Sequence, residues 1–433
     1  MDIKETLKIF SFLPAVHAVG GCVRDWLMDI PYHDIDLATA AKPEEVISLC
    51  TEHDIGTVNT GIKSGTITAY VDGIGYEITT FRSDHNQDGR HADVNYVSTI
   101  EEDLARRDFT INAIAIDTDG NVIDPYGGVN DIAFFKRIRA VRDPIQRFRE
   151  DYLRTLRAAR FAARFGFRID PRTLNAMTCL SWRIQKFVSP ERVKMEFDKA
   201  FQDSHPDKFI DILFKTRILQ QIFPEYSTAD RLTHNHEYHP EGPLLEHIKV
   251  VVCRAVPECR WEAFLHDIGK TITFNQSVNG EYYNYYDHAE IGEVLVNDIA
   301  DRLKFSNILR ASCVAATKYH MMPAMIMNAD CKHERAIRRF QNIAGEYLDM
   351  LHRLCYADLI DRKSYDKELF DKIFTPLQPK PKPIVSGKQI LARGYKPGPE
   401  IGKIQRICQQ YYIETGIDDP GILLDAVISG NLN

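Results

Sequence analysis

At 433 residues and 44% apolar content, the chain can bury more than one core and is expected to divide into two or more domains. No apolar run approaches the ~20 residues that cross a bilayer, and no charged-then-apolar leader opens the sequence, so a cytoplasmic location without membrane partners is expected. The net charge of -7 conceals a basic middle, with 15 Lys+Arg against 7 Asp+Glu between Arg139 and Lys199. That surplus is either a surface for polyanions or the solvated face of charged helices.

From about residue 16 to 137, the runs GTITAYV, YEITTF and INAIAID alternate with glycine-rich and polar turns, which predicts a mixed sheet with few helices. The polar, glycine-containing stretch DHNQDGRHADVNYV (84–97) should be a mobile loop between strands. From Asp143 to about residue 370 the pattern becomes long helices, beginning with the arginine-rich PIQRFREDYLRTLRAARFAARFGF. The stretch PLQPKPKP (376–383) cannot continue a helix and predicts an extended linker before a small tail. The nine cysteines lack CxxC pairs or regular spacing, which argues against a disulfide framework or a thiolate zinc site.

The first chemical constellation is GGCVRDWLMDIPYHDIDLAT. On a strand, Asp34 and Asp36 would share one face. Two carboxylates so close repel unless a divalent cation lies between them, and Mg²⁺ held by one or two carboxylates plus phosphates is the usual arrangement. Such an ion suits nucleotidyl transfer, where it activates an attacking 3′-hydroxyl and neutralises the leaving pyrophosphate. A lone Asp-x-Asp is commonly two solvated aspartates, but Gly20 and Gly21 would let backbone amides approach phosphate oxygens, and Arg24 follows one turn later as a planar phosphate donor. Glu77 in EITTFR is either a third carboxylate or an exposed strand residue, and LARRDFTINA adds Arg106, Arg107, Asp108 and Asn112.

These segments resemble the class II tRNA nucleotidyltransferase and bacterial poly(A) polymerase family. GGCVRD and HDIDLAT look like its glycine and metal motif, RRDFTINA its sugar motif, DPYGG its head closure, EDYLRTLRAARFAARFGF its base-recognition helix and SPERVKMEF the brace behind that helix. The resemblance implies an α+β fold: a polymerase-β-type nucleotidyltransferase head (1–138), an all-α neck (139–205), an α-helical body (206–375), and a linker and tail (376–433). It further implies that Asp34 and Asp36 hold Mg²⁺, that Gly21, Arg24 and Arg107 contact the triphosphate, that Asp108 helps select ribose, and that Asp151, Arg154, Arg157 and Arg160 bind the nucleotide. On one continuous helix Asp151 and Arg154 would stand about 60° apart, so an acid and a guanidinium could meet one base edge together. Cytosine and adenine each pair an amino donor with a ring acceptor, which such a couple would match. Arg160 would lie about 180° from Asp151, leaving a nucleotide contact, a tRNA phosphate and a salt bridge to the head all open. The implied substrates are tRNA, CTP and ATP. Template-independent addition of CCA to tRNA 3′ ends is the activity the resemblance implies, with addition of A alone, poly(A) synthesis and a non-catalytic RNA scaffold as the alternatives to separate from it. No obligate protein partner is evident.

A second constellation runs His247, His266-Asp267, His288, His320, Asp358, each on a helical or helix-flanking segment. Imidazoles with carboxylates suit divalent transition metals. The order, with HDIGK as its most specific element, resembles the HD phosphohydrolase superfamily over about 235–365. That resemblance implies one metal at His247, His266, Asp267 and Asp358, with His288 and His320 completing a second metal or a phosphate site. Lys270 would either stabilise phosphate or cap its helix. The domain would be a phosphatase and 2′,3′-cyclic phosphodiesterase, or a structural support for tRNA. The histidines of HNHEYHPEG (His234, His236, His239) read as a solvated loop, while Arg192, Lys194, Lys388 and Lys396 are offered to RNA phosphates.

Overall fold

The computed structural model describes residues 2–61, 65–85, 93–235, 241–276, 280–329, 333–362, 365–375 and 384–429. The chain forms two compact units, Met1–Pro224 and Glu225–Asn433. Residues 86–92 of the expected mobile loop, the linker 376–383, and His236 and His239 lie outside the described residues. Among the described helices, none is long and apolar enough to cross a membrane.

The first unit carries β1 (His17–Val19), β2 (Asp36–Thr39), β3 (Gly56–Gly61), β4 (Thr66–Val71), β5 (Ile74–Thr80), β6 (Arg82–His85), β7 (Asp93–Tyr96), β8 (Ala115–Ile116) and β9 (Val122–Ile123). Seven of these form one sheet in the order β3-β4-β5-β2-β1-β8-β9, while β6 and β7 pair separately. The sheet is mixed, as the alternating runs predict, because β2 and β5 run parallel while β1–β2, β1–β8 and β4–β5 are antiparallel. Alternation assigns the faces. Leu37, Ile67, Ala69, Tyr76 and Ile78 are buried, and helix Pro43–Glu52 packs on strands β3 to β5 with Val46 and Cys50 turned inward. Asp36, Thr68, Gly75 and Glu77 occupy the alternate positions and line an open cleft. The run INAIAID departs from the expected strand: Thr110–Asn112 form a 3₁₀ turn, and only Ala115 and Ile116 join the sheet.

The arginine-rich segment is two helices, Pro144–Glu150 and Leu153–Phe165, and this corrects the single helix expected from its composition. The first starts on Asp143, whose side chain accepts from the Gln146 amide at 2.7 Å, with Pro144 at the first helical position. It ends where Asp151 turns extended (φ -153°, ψ 107°). The Asp151 carboxylate then accepts from the Leu153 amide at 3.1 Å and so supports the start of the second helix. Gly166, in the left-handed conformation, closes that helix. Helices Pro190–Gln202 and Pro206–Lys215 pack beside it.

In the second unit, helices Leu244–Arg254, Arg260–Leu265, His288–Arg302, Asn307–Tyr319 and Leu348–Leu359 bring together the histidines and aspartates spread along the sequence. Gly269 of HDIGK makes this possible. A Cβ there would overlap the backbone oxygen of His288, so only glycine lets the turn after His266-Asp267 lie against helix His288–Arg302. Further along, Val385, Ile390, Ile404, Cys408, Leu423 and Leu424 form a small core for the tail. Arg335 and Arg339 of helix His333–Ala344 both pair with Glu414 of tail helix Pro399–Thr415. Lys388 and Lys396 are exposed.

Candidate active site and metal cluster

The sheet face described above opens into a cleft of about 550 Å³ whose lining includes Asp25, Asp34, Asp36, Glu77 and Arg164. Strand β2 begins at Asp36, so Asp34 sits in the preceding loop, which corrects the expectation of one strand carrying both. The third carboxylate is placed by pairing: Glu77 of β5 stands opposite Asp36 of β2 in register. Burial raises the pKa of Asp36, Glu77 and Asp34 add to the rise, and Arg107 opposes it. A half-buried acid whose charge is disfavoured, with two further carboxylates beside it, is a donor set for a divalent cation. Gly20 (φ +76°) borders them. A Cβ there would come within 2.8 Å of Arg107 Nη1 and 3.7 Å of Asp36 Oδ2, so the glycine leaves backbone exposed between a guanidinium and a carboxylate.

Behind the cleft, charges are linked in a chain. Arg24 is buried; its Nε donates to Asp25 at 2.8 Å, its Nη1 donates to Asn112 Oδ1 at 2.7 Å, and its guanidinium lies over Phe161 and Phe165. The expected phosphate donor is thus already committed to protein partners. Asn112 in turn donates to Asp108 Oδ1 at 2.9 Å, beside the Phe109 amide at 2.8 Å, while Asp108 Oδ2 receives Arg157 at 2.8 and 2.7 Å. Burial pushes Asp108 up, but Arg157, Asn112 and Arg154 outweigh it and hold its pKa at about 2. Arg160 is buried and donates to Glu196 Oε2 at 2.6 Å, with Arg157 at 3.9 Å from the same carboxylate. The structure gives Arg160 a salt bridge, but to Glu196 of the bracing helix Pro190–Gln202 and not to the head as expected. Arg107 pairs with Asp103 at 3.1 Å.

Arg154 donates to Glu150 at 2.7 Å and to the carbonyls of Arg147 and Arg106, whereas Asp151 receives Arg192 at 2.7 Å. The helix break removes the argument that placed Asp151 and Arg154 one turn apart on a shared face. Arg192 and Lys194, expected to face RNA, pair here with Asp151 and with Asp198 at 2.7 Å. Asp25 and Arg164 were missed as cleft residues. Arg164 lies 3.9 Å from both Asp25 and Asp203, and its position in an arginine-rich helix gave no distinguishing signal.

In the second unit, His247, His266 and Asp267 form one potential metal triad, and Asp267, His288 and His320 another. His247 Nε2 lies 3.3 Å from Asp267 Oδ2, 3.4 Å from Asp358 Oδ1 and 3.3 Å from His266 Nε2. On the other side, Asp267 Oδ1 lies 3.2 Å from His320 Nε2 and 3.6 Å from His288 Nε2. Those last three atoms are buried without a hydrogen bond among the described residues. Because His266, His288 and His320 direct Nδ1 at the carbonyls of Ala263, Tyr285 and Thr317, at 2.8, 2.7 and 2.9 Å, their Nε2 lone pairs turn inward. Burial lowers the pKa of His266 and takes that of His288 to about 4, keeping both rings neutral as ligands must be. Burial also lowers His247, but Asp267, Glu241 and Asp358 overcome it and the net shift is upward. Asp358 is held by Arg362 at 2.8 and 3.0 Å, and Lys270 bonds Asp267 Oδ2 at 2.6 Å. The solvated-loop reading of His234 is corrected: the residue is buried, packed on the rings of His247 and Tyr285.

The family described as "Poly A polymerase head domain" matches residues 16–139, and "Probable RNA and SrmB-binding site of polymerase A" matches residues 166–230. A CCA-adding enzyme of Lactobacillus helveticus is 33% identical over 315 residues, which span 69% of this chain and 77% of that relative. The chain belongs to the CCA-adding enzyme family. A second CCA-adding enzyme, from Leuconostoc citreum, is 43% identical over 217 residues, and the chain spans about half of that relative's length (52%). A crystal structure of the Bacillus stearothermophilus CCA-adding enzyme with CTP superposes with a TM-score of 0.69 at 24% identity, over 100% of this chain and 98% of that one. That likeness establishes the CCA-adding enzyme fold, a mixed-sheet head followed by a helical body.

Proposed function

We propose that the chain adds C, C and A to tRNA 3′ ends from CTP and ATP, with Mg²⁺ held by Asp34 and Asp36 beside Glu77. The observation that carries the reading is the Asp36–Glu77 register facing an open cleft next to Gly20 and Arg107. Mg²⁺, when bound, supplies activation of the 3′-hydroxyl and charge neutralisation. The O3′–Pα bond forms as the α–β anhydride breaks; pyrophosphate leaves, and the hydroxyl proton passes to the carboxylate cluster. Gly20 and Gly21 leave room for triphosphate oxygens at the backbone, and Arg107 answers their charge. Asp108, held ionised by Arg157 and Asn112, takes the ribose. Asp151 and Arg154 read the base edge after releasing Arg192 and Glu150. Arg192, Lys194, Lys388 and Lys396 meet RNA phosphates. The four-part division into head, neck, body and tail is retained as part of this proposal, and a tRNA substrate fits a cytoplasmic setting.

Purified chain incubated with Mg²⁺, tRNA lacking CCA, and labelled CTP and ATP should incorporate two C and one A. Failure to incorporate either label would defeat the reading. Labelling by ATP alone, on tRNA ending in CC, would make it an A-adding enzyme, and growth far beyond the terminal A a poly(A) polymerase.

The second cluster we assign to a divalent transition-metal centre of HD type that hydrolyses phosphate esters at nucleotide ends. Its support is the set of buried atoms without hydrogen bonds among the described residues: Asp267 Oδ1, His288 Nε2 and His320 Nε2. Replacing His266 and Asp267 should remove phosphohydrolase activity and spare CCA addition, and replacing Asp34 and Asp36 the reverse.

A further inference from the structure

The two triads around Asp267 differ in what stands behind their imidazoles. His266, His288 and His320 each direct Nδ1 at a neutral backbone carbonyl. His247 directs its Nδ1 at a carboxylate, Glu241 Oε1, at 2.5 Å. A ring whose far nitrogen is bound by a carboxylate is fixed in tautomer and orientation and is a more basic ligand. The side holding His247 also has a second acid, Asp358, 3.4 Å from His247 Nε2. The side holding His288 and His320 has Asp267 alone among the described residues. Two cations temper the contrast. Arg362 engages both oxygens of Asp358, and Lys270 bonds Asp267 Oδ2.

Resting on the reading of this cluster as a metal centre, we propose that its two halves bind metal unequally: the His247–His266–Asp267–Asp358 half is a tight, retained site, the Asp267–His288–His320 half is a weak, exchangeable one, and Glu241 is the positioning residue that sets the difference. The backing carboxylate and the second anionic ligand both favour the first half, and removing such a backing group typically weakens a metal site by about 10–100-fold. Glu241 lies in HNHEYHPEG, three residues before the helix that carries His247, so it joins the cluster from outside the five spaced segments.

The test is Co²⁺ titration of the metal-free full chain by calorimetry and visible absorption, with excess Mg²⁺ present to occupy the head carboxylates. Two steps separated by at least about tenfold in Kd are expected. Glu241→Gln should raise the Kd of the tight step by about 10–100-fold and move the weak step less than about threefold, with an unchanged circular dichroism spectrum. His320→Gln, a control on the opposite half, should remove the weak step and keep the tight one. Two steps of equal affinity, or a Glu241→Gln effect that is absent or equal on both steps, would overturn the inequality and leave the metal centre standing. Absence of any Co²⁺ binding would overturn the metal centre and the inference with it.

Discussion

Asp108→Asn tests whether charge, not shape alone, locks the head against the arginine-bearing helix. The asparagine keeps an acceptor for the Phe109 amide but removes the anion that meets Arg157 at 2.7 Å. The Asp108 pKa falls from 3.8 to about 2 on folding, and each unit corresponds to about 1.36 kcal/mol, so its ionised form contributes roughly 2–3 kcal/mol. Because the folded pKa is the lower one, this contribution is complete above pH ~4, falls to about half near pH 3 and vanishes as pH drops through ~2. Urea unfolding of wild type and variant, read by hydrogen exchange of peptides from helix Leu153–Phe165, isolates the unit concerned. The gap between the proteins should be roughly 2–3 kcal/mol at pH 7 and about half that at pH 3. A gap under about 0.5 kcal/mol, or one that does not change with pH, would refute the argument.

Asp36→Asn should cut nucleotide incorporation about a thousandfold, the loss of several kcal/mol of charge stabilisation. Burial and neighbouring acids already disfavour the Asp36 charge, so the melting temperature without metal should hold or rise; a clear fall would contradict the like-charge cluster. Gly20→Ala, at φ +76° and with its Cβ 2.8 Å from Arg107 Nη1, should cost about 1–2 kcal/mol of stability and raise the KM for CTP. Unaltered urea midpoint and KM would dispose of the close-approach argument. Glu196→Ala strands Arg160 in a buried setting and should destabilise the first unit by about 3–5 kcal/mol. Adding Arg160→Ala should recover part of that loss, and strict additivity of the two would show them uncoupled.

Much of the architecture was readable because its signals are local. The β-branched runs TITAYV and YEITT marked the strands β4 and β5, and the order of histidines and aspartates anticipated the gathering of five separate segments, four of them in the two triads and the fifth through Asp358 beside His247. What escaped depends on distant partners. Nothing in REDYLRT marks a break, because Glu150 and Leu153 are ordinary helix formers; the interruption is fixed by Asp151 bonding the Leu153 amide and Arg192, forty-one positions away. The commitment of Arg24 to Asp25 and Asn112 was hidden for the same reason. Polar loops read as solvated, so HNHEYHPEG concealed both the buried His234 and the carboxylate that backs His247.

Asp267 sends one oxygen toward His247 and His266 and the other toward His288 and His320. The two triads therefore have a common point of failure. Losing an outer histidine would leave half of the cluster intact and open to gradual divergence, whereas a single codon change at Asp267 would disable both halves in one evolutionary step.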